Sequence, residues 1–212
     1  MINAITIIKK KHGLTYDKFQ NYWKNEHATI VTRSPLVGTY VQSHPIYNDK
    51  LTFEDTIDGI AEIWFNDTNA MRSLAATKEY KDIQDDEKVF IDGSAIRLIL
   101  AEDTITIKGN VSDYKLLIFM NKSINLELTD FRKELAGIAS SCSKQNVTRM
   151  KVSLPKLAGY KGDKSPLWDA ILTFWLNIEV DQTFINDAIA DFSAIAGKSI
   201  AKLCNSVVVQ EK

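Results

Sequence analysis

The segment DGIAEIWFN, residues 58–66, is matched later in the chain by DAILTFWLN, residues 169–177. The two tryptophans fall in register, and both segments are short apolar runs typical of a buried strand. The same spacing, within one residue, aligns an apolar run at 4–10 with another at 114–121. Self-similarity at a fixed spacing is typical of repeated structural units. The chain is therefore predicted to hold two copies of one unit.

Each half is predicted to run strand, helix, two strands, helix, strand. Alternating apolar positions mark the strands, and three- and four-residue spacings mark the helices. We predict strands at residues 3–10, 36–47, 58–65, 95–107, 113–121, 146–154, 167–178 and 199–210, and helices at 15–31, 67–88, 128–143 and 181–195. The second helix is predicted to start at an Asp67 N-cap and to break at 75–78. Gly159, Gly162 and Pro166 predict a turn.

A join between the halves is predicted at Gly109, Asn110 and Ser112, which separates domains at 1–108 and 113–212. A four-stranded sheet with helices on one face leaves its other face in need of a partner. The second half can supply that partner within the same polypeptide. A homodimer in addition to this internal pairing is left open.

Composition excludes several classes of protein. The 212 residues include 45% hydrophobic and 25% charged residues, which is typical of a globular protein. A net charge of −1, with a single short lysine run at residues 9–11, argues against a nucleic-acid partner. No stretch approaches the ~20 apolar residues of a membrane span, and no signal peptide is evident, so a cytoplasmic protein is expected. Cys142 and Cys204 are expected to be reduced packing residues.

Two polar patterns stand out in the first half. The helix at 15–31 places aromatic residues and His27 on one face. This face comprises Phe19, Tyr22, Trp23, Glu26, His27 and Ile30. The following strand places Tyr40, Gln42 and His44 on one face, because side chains alternate with a period of two. Together these patterns predict a ligand pocket.

The segments YDKFQNYWKNEH (16–27), TYVQSHPIY (39–47) and DGIAEIWFNDTNAM (58–71) resemble the EthD family of the dimeric α/β-barrel superfamily. The resemblance implies a ferredoxin-like βαββαβ unit with a pocket between sheet and helices. The predicted fold class is therefore α+β, with two ferredoxin-like repeats forming an intramolecular α/β barrel. Members of the family are linked to ether degradation and to cyclisation, dehydration or decarboxylation of aromatic polyketides. Membership alone does not fix a reaction.

The predicted repeats differ in chemistry, since His12, His27 and His44 all lie in the first half. By the repeat spacing, the predicted counterparts of His27, Tyr40, Gln42, His44 and Glu62 are Ala139, Lys151, Ser153, Pro155 and Thr173. The polar set has no copy in the second half. We therefore predict one working site in the first half and a degenerate second half.

His27 is the first candidate catalytic residue, because an imidazole transfers protons near neutral pH. The alternative is a buried neutral imidazole bonded to a backbone carbonyl. His44 and Glu62 are candidates for a second acid or base. The alternative for His44 is a solvent-exposed histidine at a strand end. For Glu62 burial is expected to raise the pKa, and the alternative is an ion pair with Arg97.

The remaining candidates are expected to contact the substrate. Tyr40 and Gln42 would polarise its oxygen, while Tyr22, Trp23 and Trp64 would pack against it, although such aromatics are also common in cores.

The acidic run at residues 85–87 is expected to be a solvated helix face. The sequence holds no phosphate-binding glycine pattern, nucleophile elbow or metal-ligand spacing, so no cofactor or metal is expected. The leading hypothesis is a lyase or isomerase acting on a small apolar or aromatic carbonyl compound. The alternatives are a non-catalytic small-molecule binding or stress-response protein and, less favoured, a haem-binding protein that uses His27.

Overall fold

A computed structural model describes residues 1–47, 57–142, 144–159, 165–178 and 180–212. The predicted turn residue Gly162 lies outside these ranges. Among the helices of the described residues, none combines the length and the apolar content that a membrane crossing requires.

The first half of the chain forms four strands and two helical regions. The strands are β1 (Ile2–Ile8), β2 (Tyr40–Pro45), β3 (Gly59–Phe65) and β4 (Arg97–Ile107). The first helical region comprises α1 (Tyr16–Tyr22), a π-helical turn (Trp23–His27) and α2 (Ala28–Val31). The second comprises α3 (Thr68–Ala75) and α4 (Lys78–Phe90).

The second half repeats this order. Its strands are β5 (Tyr114–Lys122), β6 (Val147–Pro155), β7 (Ala170–Leu176) and β8 (Ala196–Gln210). Its helices are α5 (Leu128–Ser141) and α6 (Gln182–Ala190). The predicted order of elements is therefore confirmed in both halves.

Helix caps explain the predicted break between α3 and α4. Asp67 Oδ1 accepts hydrogen bonds of 2.8 Å from the backbone N–H groups of Asn69 and Ala70, which begins α3. Thr77 Oγ1 accepts from Tyr80 N at 3.2 Å and begins α4. Both the Asp67 cap and the break are confirmed.

Two boundaries differ most from the prediction. The strand predicted from residue 36 begins at Tyr40, because Val37 N donates to Ser34 O at 3.3 Å and the chain turns there. At Gly38 a Cβ would lie 2.1 Å from Trp64 O, so only glycine fits. The helix predicted over 181–195 ends at Ala190, and turns replace its last residues.

The described residues group into two compact units. Unit 1 comprises residues 1–44, 57–101 and 206–212, and unit 2 comprises 45–47 and the described part of 102–205. The sheet of unit 1 has the antiparallel order β4-β1-β3-β2. The sheet of unit 2 has the order β8-β5-β7-β6. Both are the ferredoxin-like arrangement. The predicted fold class, α+β with two ferredoxin-like units, is therefore confirmed.

One aspartate in each unit makes the same contact. Asp58 Oδ2 accepts from Lys10 N at 2.8 Å, and Asp169 Oδ2 accepts from Lys122 N at 3.0 Å. In unit 1 this N–H lies just beyond the end of β1, and in unit 2 it belongs to the last residue of β5. The aspartates that open the matched segments therefore have a structural role.

The register of β2 and β3 assigns side chains of unit 1 to two faces. Gln42 lies opposite Ala61, and Ala61 packs against the buried helical residues Trp23 and Phe90. This is the helix-facing face of the sheet. Glu62 lies opposite Val41 and therefore belongs to the other face.

The helix-facing face of unit 2 is an apolar core. Its buried strand residues are Leu116, Ile118, Met120, Met150, Val152, Ala170, Leu172, Phe174, Leu176, Ala201 and Leu203. They pack against Phe131, Leu135 and Ala139 of α5 and Ile185 and Ala188 of α6.

The register also corrects three predicted counterparts. Gln42 lies opposite Ala61, whereas Val152 lies opposite Leu172, and Ala61 and Leu172 hold the same place in the matched segments. Val152, rather than Ser153, therefore corresponds to Gln42. By the same shift of one residue, Tyr40 and His44 correspond to Met150 and Leu154 instead of Lys151 and Pro155. A shift of one residue changes the face of the sheet, so the correction replaces polar counterparts with apolar ones.

Candidate functional site

The helix that carries His27 contains an unusual turn. Thr15 Oγ1 accepts from Lys18 N at 3.3 Å and begins α1. The chain then forms the π-helical turn, in which Trp23 and His27 are buried, and continues directly into α2. A π-helical turn inserts an extra residue into the helix, and such turns are frequent at functional sites.

His27 is held by a carboxylate of α4. Its Nδ1 lies 2.7 Å from Asp86 Oδ2, and the two side chains are only 6% and 9% exposed. The Tyr22 hydroxyl donates to Asp86 Oδ1 at 2.6 Å. One carboxylate therefore fixes both side chains of the helix, although it lies far away in the sequence.

Burial determines the protonation state of the His27 imidazole. Burial lowers the pKa of His27, and the hydrogen bond and charge of Asp86 oppose that shift. The imidazole is therefore neutral at neutral pH, with its proton on Nδ1 toward Asp86. Among the described residues none forms a hydrogen bond to Nε2. The Asp86 hydrogen bond also raises the pKa of Tyr22 to about 12, so this hydroxyl stays a donor.

Aromatic rings surround the imidazole. The rings of His27 and Phe90 are 4.9 Å apart, and those of Tyr22 and Phe90 are 5.1 Å apart. Phe19 stacks on Trp23 with ring centroids 5.9 Å apart. The predicted aromatic face of the helix is thus present, and Phe90 of α4 extends it.

The polar side chains of β2 form a hydrogen-bonded chain. Gln42 Nε2 donates to Trp23 O and to the Tyr40 hydroxyl, both at 2.9 Å. Gln42 Oε1 lies 3.0 Å from His44 Nε2, and His44 Nδ1 contacts Gln20 Oε1. Gln42 therefore joins the strand to the π-helical turn, and its polar atoms are used within the protein.

His44 is buried rather than solvent-exposed. Burial, aided by the charge of Lys24, lowers the pKa of His44 to about 4. Its ring lies 4.5 Å from the Trp23 ring, and both nitrogens face glutamine oxygens. As a neutral ring, His44 donates one hydrogen bond, to one of these two oxygens, and it packs against Trp23.

The hydroxyl group of Tyr40 is used as an acceptor but not as a donor by the described residues. Its hydroxyl oxygen accepts from Gln42 and contacts the Trp23 side chain, whereas none of the described residues accepts its hydrogen. Burial raises the pKa of Tyr40 to about 12, so the hydroxyl is a donor at any physiological pH.

The structure separates Glu62 and Trp64 from the histidines. Both side chains lie on the sheet face opposite the helices, because they alternate with Ala61 and Ile63. Glu62 is buried as expected and accepts from Asn3 Nδ2 at 3.3 Å. Arg97, its expected partner, donates to Ser94 O and Ile96 O.

Sequence reasoning missed the carboxyl groups of α4, and the expected solvated face for residues 85–87 is wrong in part. Asp85 is exposed and pairs with Lys88 at 2.6 Å. Asp86 and Glu87 instead lie on the inward face, where the Asp86 side chain is nearly buried and Glu87 is partly exposed. The signal was their spacing from buried Ile83 and Phe90, which places all four on one side of the helix.

Burial, aided by the neighbouring charge of Asp86, raises the pKa of Glu87 to about 7. In the described part of the chain no three His, Cys, Asp or Glu side chains form a group that could hold a metal ion. A carboxylate on Nδ1 of His27 with Nε2 open is also the arrangement of a metal-ligating histidine, so haem ligation through Nε2 is the competing use of this side chain.

A comparison with known proteins finds one family model that matches part of the first half of the chain. The model of the EthD domain matches residues 11–94, which include His27, the β2 network and Asp86. No curated protein matches the sequence.

Solved structures are similar along the whole chain. An anthrone oxidase-like protein has a TM-score of 0.62 at 10% identity, covering 100% of this chain and 94% of its own. A candidate monooxygenase from Fusobacterium nucleatum has a TM-score of 0.59 at 11% identity, with 99% and 92% covered. Another from Lactobacillus acidophilus NCFM has a TM-score of 0.53 at 13% identity, with 97% and 93% covered. These identities show the fold alone. Residues 11–94 of this chain are thus similar to the EthD domain.

Proposed function

We propose that unit 1 binds a small apolar or aromatic carbonyl compound between its helices and its sheet, and that His27 moves a proton on it. The reaction class is a lyase or isomerase that relies on the acid–base chemistry of side chains. One observation carries the proposal: Asp86 holds Nδ1 of His27, while Nε2 has no hydrogen-bond partner among the described residues.

The chemical step begins at Nε2. Its lone pair takes a proton from the carbon next to the substrate carbonyl, and the electrons of that C–H bond form an enolate. The imidazolium that results is stabilised by Asp86. Return of the proton to another carbon gives an isomer. If the C–O bond of a hydroxyl on the next carbon breaks instead, that oxygen takes the proton back from His27 and leaves as water, which gives dehydration.

Tyr40 is suited to the enolate oxygen. Because its hydroxyl already accepts from Gln42, its hydrogen is available for a negatively charged oxygen. Gln42 and His44, whose polar atoms are used within the protein, position Tyr40 and Trp23 instead of contacting the substrate.

The ionisation of His27 supports the role of a base. Since burial lowers the pKa of His27, the reactive neutral form is present at neutral pH and persists under mildly acidic conditions. The rings of Tyr22, Trp23 and Phe90 favour a flat, apolar ligand.

Nitrobenzisoxazole tests the proposal, because it is a flat aromatic compound whose isoxazole ring opens when a base removes its C–H proton. We expect turnover above the buffer rate, and His27→Ala should reduce it by ~10²–10⁴-fold. His12→Ala is the matched control, since this histidine is exposed outside the site.

Melting temperatures of the three proteins separate chemistry from folding. Unchanged turnover in His27→Ala with a large drop in melting temperature would make His27 a structural residue. Saturable binding of the compound with no turnover in the wild type would favour the non-catalytic binding protein. Co-purified haem, seen as strong visible absorption, would contradict the side-chain mechanism.

A further inference from the structure

The inward face of α4 brings two carboxyl groups to the site. Ile83, Asp86, Glu87 and Phe90 recur at three- and four-residue steps, and Ile83 and Phe90 are buried. The helix contacts both the π-helical turn and α2. Glu87 therefore lies beside the group that holds His27, on the side of α4 that faces the rest of unit 1.

The two carboxyl groups differ in their partners. Asp86 accepts from Tyr22 and holds His27, so both of its oxygens are used. Glu87 is half-buried, yet none of the described residues forms a hydrogen bond to its carboxyl group. A partly exposed carboxyl group on the inward face of α4, with no hydrogen-bond partner among the described residues, is open to a ligand, which favours a role in binding or chemistry.

The pKa shifts of two tyrosines indicate which groups lie near Glu87. After burial, which is the larger cause, its charge raises the pKa of Tyr80 on α4. It also contributes to the raised pKa of Tyr40 on β2. Glu87 thus lies within electrostatic reach of the hydroxyl that we assign to the substrate oxygen.

Other candidates for a second acid or base are placed less well. His44 has both ring nitrogens against glutamine oxygens, and Glu62 lies on the opposite face of the sheet. Glu87 is on the helix side, with His27 and Tyr40.

We propose that Glu87 is a second catalytic residue, which donates a proton to the substrate oxygen or leaving group while His27 removes the proton from carbon. This inference rests on the proposed function and names the acid of the same site. The titratable groups around Glu87 are Asp86 and Tyr80 on α4, Tyr40 on β2, and Tyr22 and His27 on the first helical region. With a pKa of about 7, the carboxyl group is protonated in a large fraction of molecules at neutral pH, as a proton donor must be.

The step can be followed on benzisoxazoles. His27 Nε2 takes the C–H proton, those electrons form the third bond of a nitrile, and the N–O bond breaks. The Glu87 carboxyl group gives its proton to the departing oxygen, which leaves as a phenol. His27 has gained one proton and Glu87 has lost one, and exchange with water restores both.

Two substrates separate the roles of base and acid. Nitrobenzisoxazole releases a stable phenolate that needs little help from an acid, whereas unsubstituted benzisoxazole releases a poorer leaving group. Glu87→Gln keeps the shape of the side chain and removes the acid. We expect a loss of ~10–10³-fold on the unsubstituted compound and less than ~3-fold on the nitro compound. Asp85→Asn, which removes a charge from the exposed side of the same helix, is the control and should leave both rates unchanged.

The pH profile gives an independent measurement. Wild-type turnover of the unsubstituted compound should fall as the pH rises through about 7, and this fall should be absent in Glu87→Gln. Equal losses on both compounds, or no loss on either, would overturn the role of Glu87 as an acid. If His27→Ala also keeps its activity, the proposed function itself fails, whereas a loss in His27→Ala alone rejects only Glu87.

Discussion

The helix-facing layers of the two units have the same order of elements but opposite chemistry. In unit 2 this layer is a continuous apolar core. In unit 1 it contains two hydrogen-bonded groups, His27 with Asp86, and Gln42 with Tyr40 and His44. Unit 2 shows that this fold needs no polar layer between helices and sheet. The polar layer of unit 1 is therefore better explained by function than by folding.

The comparison holds position by position. By the repeat spacing the predicted counterpart of His27 is Ala139, which is buried, and the strand register makes Val152 the counterpart of Gln42. Among the described residues of unit 2, α5 and α6 contain no buried polar side chain, whereas Asp86 of α4 reaches His27 in unit 1.

Buried polar residues alone do not identify a site. The sheet of unit 2 shows this on the face that lies away from its helices. Lys115, Lys151 and Lys202 are buried there. Lys151 pairs with Asp103 at 3.3 Å, and the ammonium groups of Lys115 and Lys151 lie 5.5 and 5.9 Å from the Trp175 ring. These side chains are paired or packed. The distinction of unit 1 is a positioned base whose second nitrogen has no described partner.

The largest expected effect comes from placing a histidine into the apolar layer. In Ala139→His the imidazole would enter a fully buried position with no carboxylate in its apolar cluster. Overpacking and an unsatisfied polar group should together cost about 3 kcal/mol in the free energy of unfolding, measured by urea denaturation. Ala139→Leu is a control for size alone. A variant as stable as the wild type would show that the two layers are more alike than the structure indicates.

Asp86→Asn tests how the histidine of unit 1 is supported. Because the hydrogen bond and charge of Asp86 raise the pKa of His27, its removal should lower that pKa further and make the imidazole a weaker base. Turnover of nitrobenzisoxazole should fall ~10–10²-fold. The His27 titration, followed by NMR, should move to lower pH, while Asp85→Asn leaves it in place. A titration that does not move would mean that the carboxylate does not act on His27.

Glu87→Gln should separate stability from activity. The folded-state pKa of Glu87 is about 7, above its value of 4.5 in the unfolded chain. A raised pKa of an acid means that ionisation opposes folding, so the cost is absent below pH 4 and fully present above pH 7. The variant should therefore be more stable than the wild type at pH 8, by on the order of 1–2 kcal/mol, and equally stable at pH 4. Equal stabilities at both values would contradict the buried carboxyl group.

Much of the fold was predictable because apolar periodicity is local. Matched segments such as DGIAEIWFN and DAILTFWLN identify the strands, and Asp67 identifies the start of a helix. The side chains of Tyr40, Gln42 and His44 share a face as predicted. Which strand face meets the helices depends on neighbouring strands, and for that reason Glu62 was grouped with histidines that lie on the other side.

The carboxylate of the site was harder to predict. His27 and Asp86 are 59 residues apart, and their contact depends on how α4 packs on the first helix. The charge of residues 85–87 suggested that all three side chains face solvent. Their spacing from buried Ile83 and Phe90 instead places Asp86 and Glu87 on the inward face. The partners of His44 were also hard to predict, because the glutamines that enclose it come from α1 and β2.

The smallest expected effect concerns Tyr22, the second partner of Asp86. Tyr22→Phe removes a hydrogen bond of 2.6 Å, while its ring can still pack on Phe90 at 5.1 Å. The loss should cost about 1 kcal/mol in unfolding free energy. With one donor fewer, the Asp86 carboxylate should interact more strongly with His27, so the pKa of His27 should rise. The expected change in nitrobenzisoxazole turnover is therefore below ~10-fold, with the pH profile moved to higher pH. A loss as large as that of Asp86→Asn would instead show that Tyr22 contacts the substrate directly, which would place the ligand on the Tyr22 side of the imidazole.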